Sequence, residues 1–195
     1  VSIPSVSSNN FDGVGYIKIT TFSNNTYEQF KTALSSLEKE NIDSLVIDVR
    51  NNGGGFLNAA VDIAELFIEK GKNVYGLETK EKTEYYKDST KESRKYKVGI
   101  LLNSASASAS EILAAALKES YGATLLGLTS YGKGTVQETS ELETGGMIKY
   151  TTAYWLTPNG NKINNVGLKP DVEITGDYND DMDYESDTQL LTAIK

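Results

Sequence analysis

A serine between an apolar strand-like run and a helix-like run, with a glycine-flanked lysine further along, could together carry out nucleophilic attack. The serine is Ser108 in Asn103-Ser-Ala-Ser-Ala-Ser108-Ala-Ser-Glu111, which follows Val98 to Leu102 and precedes Ile112 to Leu117. Small neighbours let a substrate backbone approach, and a helix N-terminus presents unpaired N–H groups that can hold a developing oxyanion. Such a serine needs a base. The chain contains neither histidine nor cysteine, so a Ser-His-Asp triad, a thiol nucleophile and every thiolate or imidazole zinc site are excluded within it. What remains is a carboxylate or a neutral lysine amine. Lys133, in Tyr131-Gly-Lys-Gly134, is the leading candidate.

The elements that must position this pair can be read from composition and periodicity. With 195 residues, 38% of them hydrophobic, the chain can bury one core, and a single domain is expected. A net charge of −8 and a pI near 4.7 argue against nucleic acid and against an anionic membrane surface as main partners. No apolar run approaches the roughly 20 residues of a membrane span, and no basic start leads into an apolar signal core. The chain as given is expected to be soluble, and it fits the mature part of something longer.

Gly15 to Phe22 alternates and is β-branched, which predicts a strand. Thr26 to Glu40 carries Tyr27, Phe30, Leu34 and Leu37 at helical spacing, with Thr26 and Gln29 as a capping box. Leu45 to Val49 suits a buried strand and runs into Arg50-Asn-Asn-Gly-Gly-Gly55, after which Ala60, Ile63, Ala64 and Phe67 mark one face of a second helix. Lys80 to Lys97 is dense in both charge signs and predicts an exposed excursion. Beyond Lys133 the pattern becomes two alternating strands, Thr135 to Leu142 and Met147 to Leu156, with turns at Thr144-Gly-Gly146 and Thr157-Pro-Asn-Gly160. Strand-helix alternation predicts an α/β core with largely parallel strands, followed by a strand-rich half. The acidic run Asp177 to Asp187 is expected to stay solvated, with Thr188 to Ile194 docking as a short helix. That run has the spacing of a calcium loop, but Met182 stands where the loop needs glycine.

Each chemical signal has a plainer explanation. An Ala/Ser run before a helix can be a packing surface with serine as N-cap, Lys133 can be an exposed turn lysine, and Asn51 to Gly55 can be a tight turn. Two other motifs fail on inspection. Gly127-Leu-Thr-Ser-Tyr-Gly132-Lys133-Gly134 resembles a phosphate-binding loop, but Gly134 replaces the magnesium-holding hydroxyl and a strand follows instead of a helix. Ser36-Leu-Glu-Lys39 has β-lactamase-like spacing but lies within an amphipathic helix, without the companion motifs.

Taken together, the motifs are similar to those of the carboxyl-terminal processing proteases, also called tail-specific proteases, which are Ser-Lys endopeptidases. The resemblance runs from Ile3-Pro-Ser-Val6 to Pro170-Asp-Val172. It includes Gly15-Tyr-Ile-Lys-Ile19, Asp48-Val-Arg-Asn-Asn-Gly-Gly-Gly55, Ser106-Ala-Ser-Ala-Ser-Glu111, Tyr131-Gly-Lys-Gly-Thr-Val-Gln137 and Thr151-Thr-Ala153 with Thr157-Pro158. It implies a ClpP/crotonase-like core over residues 1–176, with residues 177–195 as an acidic linker and short C-terminal helix. It also implies Ser108 as nucleophile, Lys133 as general base, Gln137 as the residue that orients Lys133, and backbone N–H groups of Gly54 and Ala109 as oxyanion donors. Gly53 stands where many members have proline, which leaves the choice between Gly54 and Gly55 open. A peptide-binding PDZ domain usually precedes this point, and the residues ahead of Gly15 are too few to form one.

The resemblance further implies cleavage of extended or unfolded polypeptides near C-termini with small or apolar residues, no cofactor and no metal. It implies an extracytoplasmic setting, with the full-length protein secreted, periplasmic or membrane-tethered. The oligomeric state is not implied. Base chemistry adds a requirement. A lysine of ordinary pKa, about 10.4, is protonated at neutral pH, so the fold is expected to desolvate Lys133 at a cost of about 4 kcal/mol. The amide of Gln137 can accept from a neutral amine without supplying the negative charge that would favour ammonium. The competing class is a latent or non-catalytic peptide-binding module of the same fold. An active core brings Lys133 Nζ to Ser108 Oγ, and a latent one keeps them apart.

Overall fold

Apolar alternation along adjacent strands sorts the core into two faces. The computed structural model describes residues 4–178 and 184–195. In chain order the first half contains β1 (Val6–Phe11), β2 (Val14–Ile19), α1 (Thr26–Lys39), β3 (Ser44–Asp48), α2 (Leu57–Glu65), β4 (Asn73–Glu78) and β5 (Thr83–Lys87). The second half contains β6 (Lys97–Leu102), α3 (Ala109–Ala116), β7 (Thr124–Gly127), β8 (Thr135–Glu141), β9 (Met147–Leu156), β10 (Val172–Glu173) and α4 (Thr188–Ala193). A six-stranded sheet has the order β1-β2-β3-β6-β7-β10, antiparallel only between β1 and β2. An antiparallel four-stranded sheet has the order β5-β4-β9-β8.

Ile17, Ile19, Leu45, Ile47, Ile100 and Leu102 share a buried cluster with α1, α2 and α3. Tyr16, Val46 and Leu101 alternate with them and meet Leu190 of α4 on the other face. Side chains of this kind contribute roughly 1.5 to 3 kcal/mol each on full burial. All residues of α3 are buried, and its Ala114 to Ala116 run lets α2 and β4 approach closely.

This topology places the site. Parallel neighbours β3, β6 and β7 end side by side, so the segments 49–56, 103–108 and 128–134 that leave them converge at one end of the sheet. Clefts at the carboxyl ends of parallel strands are the usual ligand sites of such sheets.

The expected α/β order, the two turns and the docked C-terminal helix are present. Several expectations need correction. Thr26 and Gln29 form no capping box: Asn25 is the N-cap residue, the Thr26 hydroxyl accepts from Ser23 N, and Gln29 Oε1 accepts from Ser5 N and Val6 N. Helix entry and the start of β1 are thereby tied together. The excursion Lys80 to Lys97 contains β5, whose residues are all exposed. It went unpredicted because Thr-Glu-Tyr-Tyr-Lys has no apolar face.

The acidic run is not wholly solvated. Asp187 is buried and shares the buried Arg50 guanidinium with Asp48, at 2.7 Å and 2.6 Å. Gln189 also accepts from Arg50, and the Tyr178 ring lies over it. Burial disfavours the guanidinium charge, but hydrogen bonds to Asp48 and Asp187 outweigh it and leave the Arg50 pKa raised. The calcium-loop expectation turned on Met182, which lies outside the described residues.

Candidate active site

Ser108 occupies the end of the β6–α3 turn with φ 57° and ψ −115°. Of the five described non-glycine residues with positive φ, four are Asn or Asp, and Ser108 is the fifth. Serine there costs about 1 to 3 kcal/mol, a strain that persists only where the surroundings impose it.

Those surroundings are hydrogen bonds to two neighbouring loops. Ala107 N and Ser110 Oγ both donate to Asn52 O, at 3.0 Å and 2.8 Å. Ser106 Oγ donates to Val49 O at 2.8 Å, and Tyr131 N donates to Ser106 O at 3.0 Å. The three serines are therefore distinct. The hydroxyls of Ser106 and Ser110 are buried and engaged by the 49–52 backbone, whereas Ser108 lines an open cleft. A sharp strand-to-helix turn of this kind lifts a hydroxyl into a cleft beside the N–H groups of the following helix.

Glu111, only 1% exposed, joins the two halves of the site. Its Oε2 accepts from Ser108 N and Lys133 N, both at 2.9 Å, and its Oε1 accepts from Gly132 N at 2.7 Å and Ser130 Oγ at 2.6 Å. One buried carboxylate thus holds the backbones of both candidate catalytic residues. In the sequence the one signal of Glu111 is its Ser-x-x-Glu spacing from Ser108, that of a capping box.

The glycine loop lies against this turn. A Cβ on Gly54 would stand 2.8 Å from Ala107 O and 2.9 Å from Ser108 Cβ, and one on Gly55 would stand 2.1 Å from Phe22 O. Gly54 N donates to Asn52 Oδ1 at 2.9 Å. Among the described residues neither Gly55 N nor Ala109 N has a backbone or side-chain acceptor, and both residues line the cleft with Ser108.

Lys133 and Gln137 line the same cleft, whose volume is about 260 Å³. A larger cleft of about 800 Å³ adjoins it through Lys133 and Thr135. The glycines flanking Lys133 are explained by packing: a Cβ on Gly132 or Gly134 would collide with the backbone of residues 163–167. The expected burial of Lys133 is not found. Its side chain and that of Gln137 are exposed, and no hydrogen bond joins Lys133 to Ser108 or Gln137 among the described residues. The structure brings the pair to one cleft without closing the contact, the open arrangement expected of a latent core. The physical reason is that β8 projects with β9 as a ribbon, which leaves this wall open to water.

An α/β chain with a strained cleft serine held over a helix N-terminus has the site architecture of a serine hydrolase. Residues 13–174 match the model of peptidase family S41, and the chain belongs to that family. It is 44% identical over 164 residues to a probable CtpA-like serine protease of Staphylococcus aureus, covering 83% of this chain and 33% of that protein. A probable CtpA-like serine protease of Staphylococcus haemolyticus is 39% identical over 177 residues, covering 89% and 36%. The chain therefore spans about a third of the length of the curated relatives it matches. Among solved structures, the photosystem II D1 C-terminal processing protease superposes with a TM-score of 0.82 at 29% identity, over 89% of this chain and 49% of that one. The fold is of the ClpP/crotonase-like type. None of the described helices is long and apolar enough to cross a membrane.

Proposed function

We propose that this chain, a core over residues 1–176 followed by a linker and short helix over residues 177–195, is the catalytic core of a serine endopeptidase that uses Ser108 and Lys133. The observation that carries this reading is the strained backbone of Ser108, over-determined by buried hydrogen bonds and presented to a cleft that Lys133 also lines. Such strain clusters where function requires it. In the reaction, neutral Lys133 takes the proton of Ser108 Oγ as Oγ adds to the substrate carbonyl. The oxyanion is held by Ala109 N–H and a glycine N–H of the 53–55 loop. Gly55 N–H is free for this, whereas Gly54 would first have to release Asn52. The lysine then protonates the departing amine, and water hydrolyses the acyl-enzyme. Gln137 orients the lysine.

Exposure of Lys133 in the free chain supports a second feature, that the site is assembled by its substrate. A polypeptide lying in the two adjoining clefts excludes water from the ribbon wall, creating the desolvated setting that base chemistry needs. The substrates are extended or unfolded polypeptides, cut near apolar C-termini, and the full-length protein works outside the cytoplasm. Both statements rest on the family resemblance. The test is mass-spectrometric detection of cleavage in an unfolded substrate with an apolar C-terminus, comparing the chain with its Ser108→Ala and Lys133→Ala forms. Cleavage lost in both is the expected outcome. Cleavage retained in Ser108→Ala overturns the assignment, and no cleavage by the parent chain favours the latent or peptide-binding module.

A further inference from the structure

The cleft at Ser108 contains a second lysine. Lys149 lies in β9, opposite Thr139 of β8, while Gln137 lies opposite Thr151. In an antiparallel ribbon residues two apart share a face, so Lys149 stands on the same face as Gln137, displaced along the strands by about 7 Å, the length of two extended residues. Both side chains line the cleft, and no carboxylate does.

Among the described residues five other lysines of this acidic chain are matched by a carboxylate: Lys31 by Glu92, Lys72 by Glu69, Lys82 by Glu84, Lys118 by Asp171 and Lys162 by Glu78. Lys149 has no such partner among the described residues. Of the two carboxylates in β8, Glu138 sits one pair away on the alternate face, where it accepts from Tyr150 OH at 3.4 Å, and Glu141, opposite Met147 on the Lys149 face, lies two residues further from Gln137 and outside the cleft. The cleft is thus a cationic spot in a chain of net charge −8, walled by the apolar Leu57, Ile112, Val136 and Trp155.

We propose that Lys149 is a specificity residue that pairs with a carboxylate on the bound polypeptide, about two residues from the apolar side chain seated against Leu57, Ile112, Val136 and Trp155. A free C-terminal carboxylate and an Asp or Glu side chain supply the same chemistry. The inference rests on the reading that polypeptide substrates occupy this cleft, and a binding measurement separates its failure from failure of the Ser-Lys mechanism.

The experiment uses the full chain carrying Ser108→Ala, which prevents turnover, and three fluorescent peptides of one apolar sequence. One ends in a free carboxylate, one is amidated, and one is amidated with an internal Asp two residues from the apolar anchor. An exposed charge pair predicts about three- to fivefold tighter binding of whichever acid-bearing peptide places its carboxylate at Lys149, a preference that shrinks as salt rises. Adding Lys149→Glu, a change at an exposed position that spares the fold, should reverse the preference. Preference for the free terminus alone assigns the α-carboxylate, and preference for internal Asp alone assigns an acidic side chain. Equal binding of all three peptides, an acid preference that survives Lys149→Glu, or no binding of any peptide overturns the proposal. A Ser-Lys failure shows itself separately, as cleavage of the peptides by the Ser108→Ala chain.

Discussion

The turn that carries Ser108 and the ribbon that follows Lys133 line one cleft, yet they are built in opposite ways. The turn is buried, strained and crossed by hydrogen bonds from two loops, with the Glu111 carboxylate at its centre. The ribbon β8–β9 exposes nearly every side chain from Gln137 to Tyr150, including Leu142, Met147 and Ile148. One half of the site is preorganised by the fold, and in the proposed reading the other is completed by a bound chain. A nucleophile and its oxyanion donors gain from rigidity because misplacement costs rate steeply. On the same reading, the Lys133 side gains from openness because an extended substrate must enter.

Breaking the link between the halves should have the largest effect. Glu111→Gln keeps the shape but turns an amide NH₂ towards donors that need an acceptor. Two charge-assisted hydrogen bonds weakened in this way correspond to about 3 kcal/mol. Turnover should fall by about a hundredfold with KM little changed, as steady-state kinetics on a peptide substrate would show. An unchanged turnover number would mean that the carboxylate is not what aligns the two halves.

Within the rigid half, two neighbouring glycines should respond in opposite directions. Gly55 has φ 136° and its added Cβ would strike Phe22 O, so Gly55→Ala should cost about 3 kcal/mol and lower Tm by roughly 6 to 12 °C. Gly53 has no atom near its added Cβ and no positive φ, so Gly53→Ala should leave stability level or raise it by about 0.5 kcal/mol. Paired thermal melts compare them directly.

Rigidity also reaches this loop from behind the sheet. Arg50 precedes the glycines and is pinned by Asp48 and by Asp187 from the C-terminal segment. Asp187→Asn removes one charge from a buried pair and should cost about 3 kcal/mol, read as a lower midpoint in urea unfolding. The ribbon should show the smallest effect. Leu142→Ser with Met147→Ser should stay within about 0.5 kcal/mol of the parent. Amide exchange should be fast across residues 138–150 and slow across 106–112. Slow exchange in the ribbon would erase the contrast.

Much of the fold was legible because its strands and helices bury one stripe or one continuous run. Phe30, Leu34 and Leu37 announce α1, and Leu45 to Val49 announces β3. Strands without an apolar pattern were not legible. β5 is wholly exposed and β7 is a four-residue segment held between β6 and β10, so tertiary pairing rather than local pattern creates them. The acidic tail misled for a similar reason, since charge alone predicts solvation and gives no sign that Asp187 meets a buried arginine.

By itself the sequence determined the family, the α/β order and a short set of chemically capable residues, because motif spacing and the absence of histidine and cysteine leave few options. Only the tertiary structure decided which serine faces the cleft, that Glu111 joins both halves, that Gly54 N–H is engaged by Asn52, and that Lys133 stands exposed. The difference is physical. Periodicity and residue type act locally and can be read in order along the chain. Burial, backbone strain and shared hydrogen bonds arise only when loops from β3, β6 and β7, far apart in sequence, are brought to the same end of one sheet.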